Sequence, residues 1–301
     1  MDNVMLQTAW GWQIALYLFL GGLAAGTLFV SALLDIRRKD AFKRTSRFGA
    51  WAAAILLIVG VLLLLTELTM PLRGLLMWQS FSNLGSWMAL GAWFLFVGIV
   101  LTVLYAASLT DKLVDKLAWL AKLRKPLSYA LLVVSVLIAL YTGILLAVLA
   151  SHPLWNTPLL PVLFTVSALD TGVALVVIYL ALKEEGEEVE EVRAKLEKAT
   201  LVLVAVEAVV LVALLLTVSG ATEIGALSVA LLVNGTLAVE FWLLFVVLGL
   251  VCPAIVAFLA LKNKLDGERG KRISLAGSAL CLVGGCALRF LVLLAGLPIY
   301  L

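Results

Sequence analysis

Eight stretches of mostly apolar residues, each about as long as a bilayer core is thick, constrain this chain more than any other feature. A hydrocarbon core about 30 Å across needs ~20 residues of helix to span it. The stretches fall at 12–34, 49–70, 85–108, 127–150, 160–182, 199–219, 241–261 and 273–297. Only 14% of the 301 residues are charged, where a soluble domain carries about 25%. In lipid every backbone polar group must find its partner within the fold, so the expectation is an all-α integral membrane protein with eight transmembrane helices. Residues 1–8 carry one charge, Asp2, and lack the basic segment of a cleaved leader, so the first stretch is read as a retained helix.

The charges orient these spans. Of 22 lysines and arginines, 20 fall in four alternate loops, at 35–47, 110–125, 183–198 and 262–272. The positive-inside rule makes those loops cytoplasmic and puts both termini outside. A ten-residue apolar stretch at 224–233, about 15 Å as a helix, is too short to cross, and a ninth span would break the charge pattern. It is read as interfacial or re-entrant. Residues 139–147 resemble 287–295, aligning the fourth span with the eighth. Gly22/Gly26 and Ala168/Gly172 give the first and fifth spans small residues four apart, which permit close helix contact. The expected architecture is two four-helix bundles, residues 1–150 and 151–301.

Composition also excludes roles. One histidine, His152, and three cysteines, Cys252, Cys281 and Cys286, cannot supply a bis-histidine haem, an iron–sulfur cluster, a c-type haem attachment or an ordinary zinc motif. A net charge of +3 offers no patch for nucleic acid. If the protein does redox chemistry, its electron carriers sit elsewhere.

Four ionisable residues, Glu67, Asp170, Glu207 and Arg289, fall within spans. Each charge at mid-bilayer costs about 2.5–3.5 kcal/mol on the insertion scale, so these groups are paired, neutralised or set in an internal polar cavity. Counting helix rise from the outer ends places Glu67, Tyr17, Arg289, Tyr141 and Asp170 in the outer half, with Glu207 nearer the middle. Structural readings compete at each position. Arg289 can lock one acid, Glu67 can snorkel to the interface, and Asp170 can cap a kink. Glu207 fits a structural role least and is read as a protonated acid in a proton path. The tryptophans are expected in interfacial belts, His152 at the surface, and the cysteines as small core residues.

Several segments together carry a resemblance. Trp12-Gln13-Ile14-Ala15-Leu16-Tyr17-Leu18-Phe19-Leu20-Gly21-Gly22 resembles the first helix of the NrfD/PsrC family, the membrane subunits of polysulfide and nitrite reductase complexes. Tyr141-Thr142-Gly143, then Pro153-Leu154-Trp155-Asn156 with Leu160-Pro161-Val162-Leu163-Phe164, and Leu288-Arg289-Phe290 with Ala295-Gly296 fit the same pattern in order. The resemblance implies a quinone-interacting (menaquinol) anchor with no haem or iron–sulfur cluster of its own. It implies as partners a ferredoxin-like subunit with four iron–sulfur clusters and a molybdopterin or multihaem catalytic subunit. By motif, Tyr141 matches a tyrosine at the quinone head group, Tyr17 stands where the polysulfide reductase anchor has a histidine, and Glu67 matches an acid near that pocket. Trp12, Asn156 and Arg289 join the expected quinone contacts, and Glu67, Asp170 and Glu207 the expected proton carriers. On this reading Arg289 holds one acid ionised or offsets negative charge on the head group.

Repeated halves with intramembrane acids also suit a secondary transporter, although no pair of glycine- or proline-broken helices meets at the midplane. An anchor that binds no quinone is the third reading.

Overall fold

The computed structural model describes residues 7, 10–67, 86–262 and 267–299, apart from the side chains of Lys39, Glu67 and Met88. The protein builds α1 (Trp12–Arg38), α2 (Lys43–Glu67), α3 (Trp87–Ser108), α4 (Trp119–Ala147), α5 (Leu159–Lys183) and α6 (Glu187–Ala221). It continues with the short α7 (Glu223–Val233), α8 (Glu240–Val251 running on as Cys252–Leu261) and α9 (Gly267–Leu294). No strand occurs among the described residues. Eight of these helices are long and apolar enough to cross a membrane, at the positions expected from the sequence.

The short helix α7 has 11 residues, and the hydroxyl of Thr222 caps it by accepting from the Gly225 N–H at 3.0 Å. The first part of α8 is wound as a π-helix, and the Cys252 N–H reaches back five residues to the Val247 carbonyl. Pro253, which has no N–H to give, then sits in the first turn of the α-helical continuation.

Several helices run past the apolar stretches on the basic side, because helical hydrogen bonding continues into water wherever charged side chains find partners. Those partners come from other loops. Arg124 binds Asp35 at 2.5 Å and Asp40 at 2.8 Å, while Lys43 and Arg47 both bind Asp111. Arg38 meets Glu191, and Lys271 meets Glu185. The basic residues beside the exposed Asp111 carboxyl hold it below the usual carboxylate range. The four basic loops therefore share one end of the molecule. At the other end the Ile299 N–H donates to the Ser151 carbonyl, and Trp10 lies against Trp155 with ring centroids 5.4 Å apart.

Trp155 departs from the interfacial-belt expectation. It is fully buried, donates its indole N–H to the Val292 carbonyl at 2.7 Å, and fills the space beside Gly296. His152 stacks on it at 4.1 Å, half-buried and not a free surface residue, and desolvation lowers its imidazole from the ordinary range. Belt-like exposure does hold for Trp12, Trp87, Trp119 and Trp242.

Helix α1 packs against α2, α4, α5 and α9, and α3 bridges α2 and α4. Helix α5 packs against α4, α6 and α9, and α8 bridges α6 and α9. The tightest crossing joins α1 to α5. A Cβ on Gly26 would stand 1.8 Å from the Ala168 carbonyl oxygen, and one on Gly172 would stand 2.1 Å from the Gly26 carbonyl carbon. The two four-residue small steps thus pack on each other, as close helix contact in lipid requires. Gly26→Leu is expected to destabilise the protein by at least about 1–3 kcal/mol, the usual range for overpacking, read as a lowered midpoint of thermal unfolding in detergent. Gly220→Leu is the control, since a Cβ there meets nothing within 4 Å.

Candidate functional site

The buried face of α1 runs Ile14, Tyr17, Leu18, Gly21, Gly22, Ala25, the three-to-four spacing of a helical stripe. Tyr17 is 1% exposed, and its hydroxyl has no hydrogen-bond partner among the described residues. Gly60 of α2 leaves room for its ring, since a Cβ there would lie 3.3 Å from Cδ2. On α4, Tyr141 occupies the space a side chain at Gly91 of α3 would take, with a Cβ there falling 1.6 Å from Cζ. Phe94 meets the Tyr141 ring edge-on at 6.3 Å. The two phenols are close enough to interact electrostatically. Four helices, α1 to α4, thereby enclose a pair of tyrosines. An unmade hydrogen bond on a buried hydroxyl carries a desolvation penalty of about 1–3 kcal/mol, so Tyr17 is a donor suited to a ligand oxygen.

A second polar group lies between α5, α6 and α9. Arg289 is fully buried. Its Nη1 donates to Ser167 Oγ at 2.5 Å and to the Gly285 carbonyl at 3.0 Å, and Nη2 donates to the Phe164 carbonyl at 3.1 Å. The guanidinium also lies over the Phe164 ring, 4.9 Å from its centroid. Among the described residues no carboxylate oxygen comes within 4.0 Å of it, so the arginine is held by carbonyls and a hydroxyl and not by a direct lock on one acid, one of the readings that the sequence left open. The link to an acid runs through Ser167, whose hydroxyl also faces Glu207. Glu207 in turn interacts with Asp170, and one oxygen of each, Oε1 and Oδ1, is buried without a partner among the described residues. The other Asp170 oxygen accepts from Cys281 Sγ at 3.0 Å, and the Thr200 hydroxyl lies on the Asp170 side of α6.

The structure therefore brings the expected residues together in two groups. Tyr17 joins Tyr141, and Asp170 joins Glu207 and Arg289. Helix α1 stands between them, with Gly22 facing the guanidinium (a Cβ there would lie 3.3 Å from Nη2) and Gly21 facing Thr142. Glu67 closes α2, but its side chain lies outside the described residues, as does the Met70-Pro71 step behind it. Trp12 is 59% exposed at the start of α1, and Asn156 is exposed and donates to the Ala147 carbonyl at 2.6 Å, closing the end of α4.

Sequence reasoning missed Ser167, Thr200 and Cys281, which complete the second group. A signal was present in α6, where Glu197, Thr200, Val204, Glu207 and Leu211 repeat at three and four residues on one buried face. Arg289→Lys, which keeps the charge but loses the planar fork, is expected to destabilise the fold by about 2–4 kcal/mol. Thermal unfolding in nanodiscs measures it, and an unchanged midpoint would show that the carbonyl contacts carry little energy.

Comparison with known proteins gives a consistent result. The family described as "Polysulphide reductase, NrfD" matches residues 3–300. The C subunit of polysulfide reductase from Wolinella succinogenes is 30% identical over 303 residues, which span 95% of the present sequence and 94% of that relative. Protein NrfD of Escherichia coli K12 is 32% identical over 312 residues, with the same 95% and 94% coverage. A homolog of that protein from Haemophilus influenzae is 27% identical over 311 residues, again covering 95% and 94%.

Proposed function

The protein belongs to the polysulphide reductase NrfD family, and from that premise we propose that it is the quinone-binding membrane subunit of a respiratory oxidoreductase complex. The observation that carries this reading is the buried hydroxyl of Tyr17, without a partner among the described residues, in the same four-helix setting as Tyr141. Two phenol donors in an apolar four-helix setting suit a flat head group that bears carbonyl oxygens and an isoprenoid tail. When bound, a quinone supplies a two-electron, two-proton couple.

Tyr141 and Tyr17 orient the head group by donating to its oxygens, and the surrounding Gly60, Gly91 and Phe94 exclude water. Glu67 takes or gives protons at that pocket, while Asp170 and Glu207 carry them deeper into the membrane. Arg289 positions Ser167, and through it Glu207. Electrons pass outward to a docked subunit with four iron–sulfur clusters and on to a molybdopterin or multihaem catalytic subunit. The helix contacts support two four-helix units, residues 1–150 and 151–301, with α1 against α5 at their boundary. The clustered basic loops support a cytoplasmic assignment for that end, which puts both termini on the outer face of a prokaryotic inner membrane.

In the assembled complex, Tyr141→Phe and Glu67→Gln are expected to lower quinol-dependent turnover at least about tenfold, with subunit assembly unchanged on native gels. Wild-type turnover in both variants would overturn these assignments. Solute uptake by liposomes containing this protein alone would instead favour the transporter reading.

A further inference from the structure

At the basic-loop end several carboxylates are answered from within the protein, Asp111 by Lys43 and Arg47, and the buried Glu197 of α6 by the Ser274 hydroxyl of α9. One recess there is built differently. Between the end of α1, the 3₁₀ turn Lys39–Phe42 and the first turns of α4 lies a cavity of about 180 Å³. Asp35, Asp40, Arg124, Lys125, Ser128 and Tyr129 line it. That is the room of about six waters, too little for a drug-sized ligand and enough for a small polar group. Its floor is ionic. Asp35 is buried and accepts from Nε and Nη2 of Arg124, while Nη1 of the same arginine donates to Asp40. Its mouth is open, since Asp40, Lys125 and Tyr129 are exposed. Among the described residues no carboxylate oxygen lies within 4.0 Å of the Lys125 ammonium.

The recess sits where water gives way to hydrocarbon. The apolar stretch of α4 begins at Leu127, so Ser128 and Tyr129 stand at its edge while Arg124 and Lys125 stand outside it. Val133 and Leu137 follow Tyr129 at four-residue steps, and all three are exposed. One face of α4 therefore reads cation, phenol, aliphatic, aliphatic. From Tyr129 to Leu137 that face descends ~12 Å, most of the ~15 Å that one leaflet adds to a bilayer core. A phospholipid shows the same order of polarity over the same depth. A snorkelling lysine and a belt tyrosine would explain Lys125 and Tyr129 singly. They do not explain an open ionic recess between α1 and α4 at the same level.

Charge narrows the head group. Two acids and two bases leave the recess without net charge, whereas a site for an anionic lipid gathers bases. Both carboxylates occupy Arg124, which leaves the Lys125 ammonium to meet a phosphodiester. Asp40 at the mouth can accept from an ammonium as well as from Arg124, because a carboxylate has about four lone-pair sites. We propose that this recess binds phosphatidylethanolamine, with Lys125 on the phosphate, Asp40 on the primary ammonium and the Tyr129, Val133 and Leu137 stripe along an acyl chain. The site makes no use of the tyrosine pair, so it stands apart from the quinone assignment.

The full-length protein is delipidated in detergent and offered phosphatidylethanolamine, phosphatidylcholine or phosphatidylglycerol with identical chains, and native mass spectrometry measures the lipid that stays bound. Phosphatidylethanolamine is expected to be retained at least about fivefold better than either, because the choline head has no N–H to donate and the glycerol head has no cation. Lys125→Gln is expected to lower that retention about fivefold. Asp40→Asn gives the recess a net positive charge and is expected to turn its preference toward phosphatidylglycerol. Lys195→Gln, exposed on α6 and paired with Glu191, is the control and is expected to change neither. Equal retention of the three lipids by the wild-type protein would overturn the site, as would wild-type behaviour of both Lys125→Gln and Asp40→Asn. Glycerophosphoethanolamine, the same head group without chains, is expected to leave the lipid bound at equal concentration. Displacement by it would overturn the lipid assignment in favour of a soluble phosphate ester.

Discussion

Backbone-to-backbone contact between α1 and α5 is the constraint on which the rest of the arrangement depends. Lipid tails are as apolar as leucine, so helices in a bilayer gain little from burying apolar side chains against each other and associate through close packing and hydrogen bonds. Gly26 and Gly172 remove the side chains that would hold the two helices apart. With α1 pressed on α5, its opposite flank carries Tyr17 toward α2 and α4, and Gly22 comes up against the guanidinium of Arg289. One crossing thus sets the geometry of both polar groups.

The second consequence is electrostatic. A guanidinium in this setting is held without water, its two Nη atoms bonded to the Phe164 and Gly285 carbonyls and the Ser167 hydroxyl, while Nε finds no partner among the described residues. Because these neutral acceptors hold the arginine, Glu207 and Asp170 are not locked into ion pairs. Acids fixed by a direct salt bridge would be poor proton carriers. The hydroxyl of Ser274 and the thiol of Cys281 on α9 extend the polar contacts toward the basic end.

Much of the fold was legible in the sequence because the bilayer imposes simple rules of length and charge. Span number, the short helix after α6 and the basic loops on alternate turns follow from helix rise and lysine and arginine placement. Close helix contact at Gly22/Gly26 and at Ala168/Gly172 also followed, since small residues four apart have few uses in lipid other than close approach, whereas the meeting of the two steps with each other came from the structure. The site was less legible. Ser167, Thr200, Cys281 and Ser274 are individually unremarkable residues in transmembrane helices, and nothing in their local sequence marks them as partners of charged groups on other helices. Trp155 was read with the interfacial tryptophans, because composition does not distinguish an indole in a belt from one docked on a carbonyl.

The sequence by itself determined that the protein has eight spans fit to cross a membrane, which loops share an end, and which ionisable residues lie within the apolar stretches. Those properties depend on one-dimensional quantities, the run length of apolar residues and the spacing of charge. Only the tertiary structure decided that the tyrosines and the acids form separate groups on either side of α1, and that Arg289 reaches Glu207 through a hydroxyl and not directly. The rotation of each helix about its axis is set by how small residues on neighbouring helices interlock, and that rotation fixes which polar atoms face one another.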